Sequence, residues 1–139
     1  MENILEVRGI QKSFGGIHAV RDVSFDIRKG EILALIGPNG SGKSTCVNLI
    51  SGMYSLDAGT ITFMGADISH MKVEKRVELG IGRTFQTPKP FTKLSVYDSV
   101  FTIALLYNAT FSGANEKTLE ILESTNLLQH RDMNSVGSW

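Results

Sequence analysis

An α/β fold is predicted for this chain by two observations. An unbroken apolar run, Ile32-Leu33-Ala34-Leu35-Ile36, leads into the glycine-rich stretch Gly37-Pro38-Asn39-Gly40-Ser41-Gly42-Lys43-Ser44-Thr45, and a helical pattern follows. Ahead of them lies a stretch whose apolar and polar residues alternate, the mark of an antiparallel layer with one covered face. The chain thus opens with an antiparallel layer and changes to α/β.

Taken in order, Ile4 to Phe14 reads as a first strand, with Leu5 and Val7 on one face. Gly15-Gly16 breaks it, and Ile17 to Val20 starts a return. Val23, Phe25 and Ile27 then alternate with Ser24 and Asp26. Arg28-Lys29-Gly30 turns into the apolar run, whose continuity suits a strand covered on both faces. The helix after the glycine-rich loop extends to about Ser51, with Gly52 as its stop. Ser55 to Gly59 is a turn, and Thr60 to Met64 a short strand closed by Gly65. A charged helix from about Met71 to Leu79 ends at Gly80, and Ile81 to Phe85 reads as a further strand that delivers Gln86. Thr87-Pro88-Lys89-Pro90 suits a loop, because proline neither continues a sheet nor permits a clean helix start after it. Ser95-Val96-Tyr97-Asp98 approximates a capping box, with Asp in place of Glu or Gln, and opens a helix to about Tyr107. Asn108 to Gly113 reads as a break, and Asn115 to about Thr125 as a second helix with Leu119 and Leu122 on one face. The stretch from Arg131 to Trp139 is polar and aperiodic.

The glycine-rich stretch fits G-x-x-x-x-G-K-[ST], the phosphate-binding P-loop, in its required place between strand and helix. Gly37, Gly40 and Gly42 lack Cβ, so the backbone can take positive φ and curl its N–H groups inward onto phosphate oxygens. Lys43 reaches the β- and γ-phosphates, Ser44 offers its hydroxyl to Mg²⁺, and the helix adds its positive dipole end. A triphosphate with magnesium is the ligand that these groups suit.

The 139 residues, 42% apolar and 20% charged, suffice for one domain of ordinary size. A net charge of zero gives no reason to expect nucleic acid or an anionic membrane surface as partner. No apolar stretch is long enough to span a bilayer and no export signal is visible at the N-terminus, so a cytosolic chain is expected. Cys46 is the one cysteine, which rules out an internal disulfide and reads as a small buried hydrophobe. His18, His70 and His130 share no metal-ligand spacing and read as surface or capping residues.

Together with its flanks, the P-loop resembles the ATP-binding subunits of ABC transporters along essentially the whole chain. The resemblance is carried by Val7 to Phe14, Asp22-Val23-Ser24-Phe25, the Gly-Pro-Asn-Gly-Ser-Gly-Lys-Ser-Thr form of the loop, Gly59-Thr60-Ile61, and Gly82-Arg83-Thr84-Phe85-Gln86 followed by Leu94-Ser95-Val96. The Arg-Thr-Phe-Gln segment with Phe91 after it is most similar to the subunits of branched-chain amino-acid importers. The resemblance implies an ABC-type core with an antiparallel β layer over 1–86, and a Q-loop with the start of a helical subdomain over 87–139. It gives Phe14 the adenine-stacking role with Val20 beside it, and makes Gln86 the Q-loop glutamine that joins the Mg²⁺ shell or holds the attacking water. Lys43 and Gln86 would be the catalytic contributions, and Lys89 to Phe91 with the helices after them would face a membrane-spanning permease subunit. A second ATP-binding subunit completes the implied assembly, peripheral on the cytoplasmic face of the membrane.

The signature loop, the Walker B carboxylates and the switch histidine of that family have no match in these residues; Phe111-Ser112-Gly113-Ala114-Asn115 comes too early to be the signature. The expectation is therefore an ATPase when complete, with this chain alone binding ATP without turnover and leaving an apolar strand edge open. The alternatives are an ABC protein of repair or translation, a P-loop kinase, and a nucleotide-binding fragment with a regulatory role.

Overall fold

The structure is a computed structural model that describes residues 2–85, 87 and 91–134. It divides into two compact units, 1–83 and 84–139.

In the first unit the strands β1 (Asn3–Phe14) and β2 (Ile17–Arg28) form a long antiparallel hairpin. Gly15 and Gly16, at φ 51 and 84, make the two-residue loop, since both central positions of such a turn need positive φ. β3 (Ala58–Phe63) pairs antiparallel with the other edge of β1, Val7 opposite Ile61, and the two-residue strand β4 (Ala66–Asp67) follows it, giving the order β2-β1-β3-β4. Helix α1 (Lys43–Ile50) lies between β2 and β3 in the chain, and the short α2 (Val73–Glu78) follows β4. Leu5, Val7, Ile10, Val20 and Ile61 from the sheet close over Cys46 and Leu49 of α1 and over Ile68 to make one core. Val23, Phe25 and Ile27 pack against that core while Ser24 and Asp26 stay exposed, as the alternation predicts.

Two expected strands do not form. Residues 31–38 carry no regular secondary structure, and Ile32 and Ile36 are 96% and 89% exposed. A buried parallel strand exists only through its neighbours, and among the described residues no strand pairs with this run. Residues 81–85 are likewise irregular: the Ile81 N–H closes the end of α2 on the Arg76 carbonyl at 3.0 Å, and the Arg83 side chain bonds Asn48 and Ser51 at the end of α1.

The second unit is helical. Ser95 caps α3 (Val96–Tyr107), its hydroxyl oxygen accepting from the Asp98 N–H. Helix α4 (Phe111–Ser124) begins earlier than its periodicity predicts, because the Thr110 hydroxyl accepts from the Gly113 N–H and turns the expected break into a first helical turn. Phe101 stacks on Tyr97 and meets Phe111 edge-on, and the Tyr97 hydroxyl reaches Asn115 at 2.5 Å. A 3-10 turn, Leu128–His130, brings the polar stretch back onto α3. There the Met133 and Arg131 carbonyls take the Val96 and Tyr97 N–H groups, donors that every helix start leaves unpaired.

Candidate phosphate-binding site

The site begins with the way α1 starts. Gly42 is its N-cap at φ 88, and no side chain caps the helix, so the first-turn N–H groups are left for an external acceptor. A Cβ on Gly42 would lie 2.1 Å from the Ala19 carbonyl oxygen and 3.5 Å from Val20, so only glycine lets the loop press onto β2 here. Gly37 serves differently from the expectation: its φ is not positive, and its bare Cα leaves room for the Ser41 hydroxyl, which a Cβ would meet at 2.7 Å.

His18 to Arg21 on β2, together with Gly37, Pro38 and Gly40 to Lys43 of the loop, surround a cavity of about 540 Å³, with Leu35 and Cys46 also in its wall. Its lining carries two cations, Lys43 and Arg21, and no carboxylate among the described residues. That balance favours an anion. The Lys43 ammonium donates to the Gly37 and Pro38 carbonyls at 2.7 and 2.6 Å. Its third donor makes a longer contact of 3.4 Å with the Ser41 hydroxyl, the bond that a phosphate oxygen would most readily replace.

Ser44 lies exposed and Thr45 half-buried in the first turn of α1, and Asn39 is exposed in the loop. The Ser44 hydroxyl fits a magnesium ion that keeps several waters and takes its other oxygens from phosphate. Val20 is buried at the cavity wall. Phe14 is not brought to the cavity: its ring is half exposed, packs edge-on against Tyr54 at 5.1 Å, and has the Lys12 ammonium 5.5 Å from its centroid. Gln86 lies outside the described residues, as do Pro88, Lys89 and Pro90. Cys46 is buried, which pushes its thiol up from its ordinary value, in keeping with a core role.

Three supporting contacts escape sequence reasoning. Arg76, 2% exposed, donates to the Leu49 and Ile50 carbonyls at the end of α1, both at 2.8 Å, and to Met71 and Ser69 carbonyls at 2.9 and 3.2 Å. A cation is thereby fixed at the negative end of the helix whose positive end faces the cavity. A Cβ at Gly52 would come within 2.9 Å of that guanidinium, a second reason for the glycine that stops α1. Asp57 accepts from Lys12 Nζ and from the Ser13 N–H, each at 2.7 Å, and the Ser13 hydroxyl lies 2.8 Å from His18 Nδ1. His18 is exposed, as its sequence context suggests, and it also belongs to the cavity lining. Arg83 anchors the segment that leads to Gln86 onto Asn48 and Ser51 of the P-loop helix end.

The family model for the ABC transporter matches residues 20–137. A probable branched-chain amino acid transport ATP-binding protein, LivG, of Archaeoglobus fulgidus is 41% identical over 70% of this chain and 38% of its own length. A probable ABC transporter ATP-binding protein of Azorhizobium caulinodans is 36% identical over 98% of this chain and 48% of its own, and a xylose/arabinose import ATP-binding protein of Sulfolobus acidocaldarius is 34% identical over 89% and 51%. The chain spans about half the length, or less, of these curated relatives. A crystal structure of an ATP-binding cassette of an ABC transporter in its ADP conformation superposes with a TM-score of 0.83 at 32% identity, covering 100% of this chain and 60% of that one. The α/β cassette fold is thus shared, and no helix among the described residues is long and apolar enough to cross a membrane. By the family match and these relatives, the chain belongs to the ABC transporter family, on the side of its ATP-binding subunits.

Proposed function

We propose that this chain binds Mg-ATP through its P-loop and that, in the complete protein, this site couples ATP hydrolysis to the import of a small solute. The observation that carries the reading is the uncapped start of α1 beside a cavity whose only full charges among the described residues are the cations Lys43 and Arg21. In this reading the N–H groups of Gly40 to Thr45 hold the phosphates, Lys43 meets the β- and γ-phosphates, and Ser44 supplies one oxygen to Mg²⁺. Magnesium, when bound, neutralises phosphate charge; the chain's own part is to hold the triphosphate in one orientation. Val20 is assigned the wall of the nucleotide site, Phe14 the face of the adenine after its ring leaves Tyr54, and Gln86 a place beside the metal or the attacking water. In-line transfer also needs a group to orient the nucleophile, and with no carboxylate in the described lining this chain alone binds without turnover.

Branched-chain amino acids are the proposed solute class, supported by the relative from A. fulgidus and by the Gly82-Arg83-Thr84-Phe85-Gln86 segment, although a relative named for sugar import matches as well. A permease subunit and a second ATP-binding subunit are the proposed partners, on the cytoplasmic face of the membrane. Equilibrium binding of Mg-ATP to the wild-type chain and to Lys43→Ala tests the core of the reading. Loss of one charge-assisted contact is expected to weaken binding by about 10- to 100-fold, with no phosphate released by either protein. Equal affinities would remove the P-loop assignment.

A further inference from the structure

We propose that Asn39 is a site of covalent self-modification: in the nucleotide-free loop its side-chain amide cyclises onto the Gly40 nitrogen with loss of ammonia, and bound Mg-ATP prevents the step. The cyclisation stands on the geometry of the loop, whereas its control by ATP rests on the P-loop reading above.

Four observations lead there. Asn39-Gly40 is the one Asn-Gly pair in the chain, and a following residue without Cβ leaves the attacking nitrogen open to the amide carbon. Nothing lies within 4 Å of where a Gly40 Cβ would be, so no neighbour crowds the approach. Asn39 is exposed, is absent from the cavity wall and has no hydrogen bond among the described residues, whereas the side chains of Asn48, Asn108 and Asn115 are each held by one. The Gly40 N–H has no partner among the described residues either, and the turn is closed by the Ser41 N–H on the Pro38 carbonyl, at a long 3.3 Å. With Gly40 at φ 82 this is the pattern of a type II turn, in which the peptide unit between Asn39 and Gly40 must swing before its nitrogen faces the side chain. No hydrogen bond among the described residues ties that unit, so the empty loop permits the swing.

The step balances with water as its one co-reactant. The Gly40 nitrogen gives its proton to solvent base and bonds to the Asn39 amide carbon, the bond from that carbon to Nδ2 breaks, and Nδ2 leaves as ammonia. Water then opens the cyclic imide at either carbonyl, giving aspartate or isoaspartate. Either product carries a carboxylate at position 39, between Pro38 and Gly40, which both line a cavity whose described lining has none. Isoaspartate also adds a carbon to the main chain of the loop and so shifts its N–H groups. In the P-loop reading the Gly40 N–H donates to a phosphate oxygen, which removes the nucleophile and holds the peptide unit still. An occupied site is thus protected, and an idle one loses affinity with time.

The test incubates the purified chain in mildly alkaline buffer and follows each asparagine by peptide mapping with mass spectrometry, which separates Asn, Asp and isoaspartate. Wild type is compared without ligand and with Mg-ATP, beside Lys43→Ala with Mg-ATP, Asn39→Gln and Asn39→Asp. In the unliganded wild type, position 39 should convert ahead of Asn48, Asn108 and Asn115, and Mg-ATP affinity should fall with it by about fivefold or more, the effect of one adjacent like charge. Asn39→Asp should start with that weakened affinity, and Asn39→Gln, whose longer side chain closes the ring poorly, should keep its starting affinity throughout. If the free chain alone reacts, Mg-ATP at about 100 times Kd should slow the conversion about 100-fold, and the same concentration should protect Lys43→Ala less, in proportion to its weaker binding. Conversion at 39 no faster than at those three asparagines would overturn the proposal, as would conversion undiminished by ATP that is shown to be bound. An affinity that conversion leaves unchanged, or that decays equally in Asn39→Gln, would overturn it too. Equal protection of the wild type and Lys43→Ala would instead remove the P-loop reading and leave the cyclisation standing.

Discussion

Arg76 meets four backbone carbonyls with one guanidinium and has no carboxylate partner in that set, which is rare for so deeply buried a charge. Burial lowers its pKa from the ordinary arginine value, yet an arginine remains charged throughout the working range. Replacing it with Met keeps most of the volume and strands the carbonyls, each unsatisfied group costing about 1–3 kcal/mol where water cannot follow. Arg76→Met is therefore expected to cost about 3 kcal/mol and to lower the midpoint of thermal unfolding by roughly 15 °C, with Arg76→Lys recovering only part. A shift of a degree or two would show that solvent reaches those carbonyls. Asp57 sits at the other support of the site. The Lys12 hydrogen bond first, and the Ser13 N–H second, hold its carboxyl below the ordinary value. A carboxylate whose folded pKa is depressed adds stability above its unfolded pKa of about 4 and loses it as pH falls through the folded value. Asp57→Asn should accordingly melt below the wild type at pH 7, and the gap should close under acid. A gap that persists at pH 2 would mean that the amide perturbs the hairpin for steric reasons.

The helices show how local chemistry decides element boundaries. Ser95 accepts from the Asp98 N–H at 2.9 Å and donates its own proton to the Asp98 carboxylate at 2.7 Å, a cap closed with a residue shorter than the usual Glu or Gln. Ser95→Ala is expected to destabilise the helical unit by about 1 kcal/mol, read as a shift in denaturant midpoint at constant slope, whereas Ser95→Asp should be nearly neutral. That cap was legible in the sequence because its residues are adjacent. The start of α4 was less so: Asn108 to Gly113 contains the usual breaking residues, and only the Thr110 hydroxyl on the Gly113 N–H turns them into a helix. The glycine-rich loop, the β1–β2 hairpin and the stop at Gly52 were equally plain, since each depends on residues within a few positions of one another. What could not be read depended on distant groups. The Ile32 to Ile36 run has the composition of a buried strand, but a strand is made by its neighbours, and the pairing available here runs through β1 instead. The roles of Arg76, read only as part of a charged helix, and of Asp57, read only as part of a turn, were not visible because the contacts to Ile50 and Lys12 span 26 and 45 residues.

At the scale of the molecule, the first unit presents Ile32, Leu33, Leu35 and Ile36 to solvent along one irregular segment beside the cavity. A run of β-branched and leucine side chains with unpaired backbone groups is a template for another chain, by strand addition or by burial of the apolar face. Neither a proline nor a charged side chain interrupts residues 32–36, so nothing within the run opposes such pairing. The expected outcome is concentration-dependent self-association of the purified chain, seen by sedimentation velocity as a rising weight-average mass up to about 100 µM. Ile32→Lys should return the chain to a monomer, because Ile32 is 96% exposed, contributes nothing to the core cluster and is absent from the cavity wall. The same substitution should leave Mg-ATP affinity unchanged, which separates relief of association from damage to the site. If the wild type remains monomeric over the whole range, the segment must fold back on its own unit in solution, and the exposure of Ile32 and Ile36 would no longer explain how this chain behaves on its own.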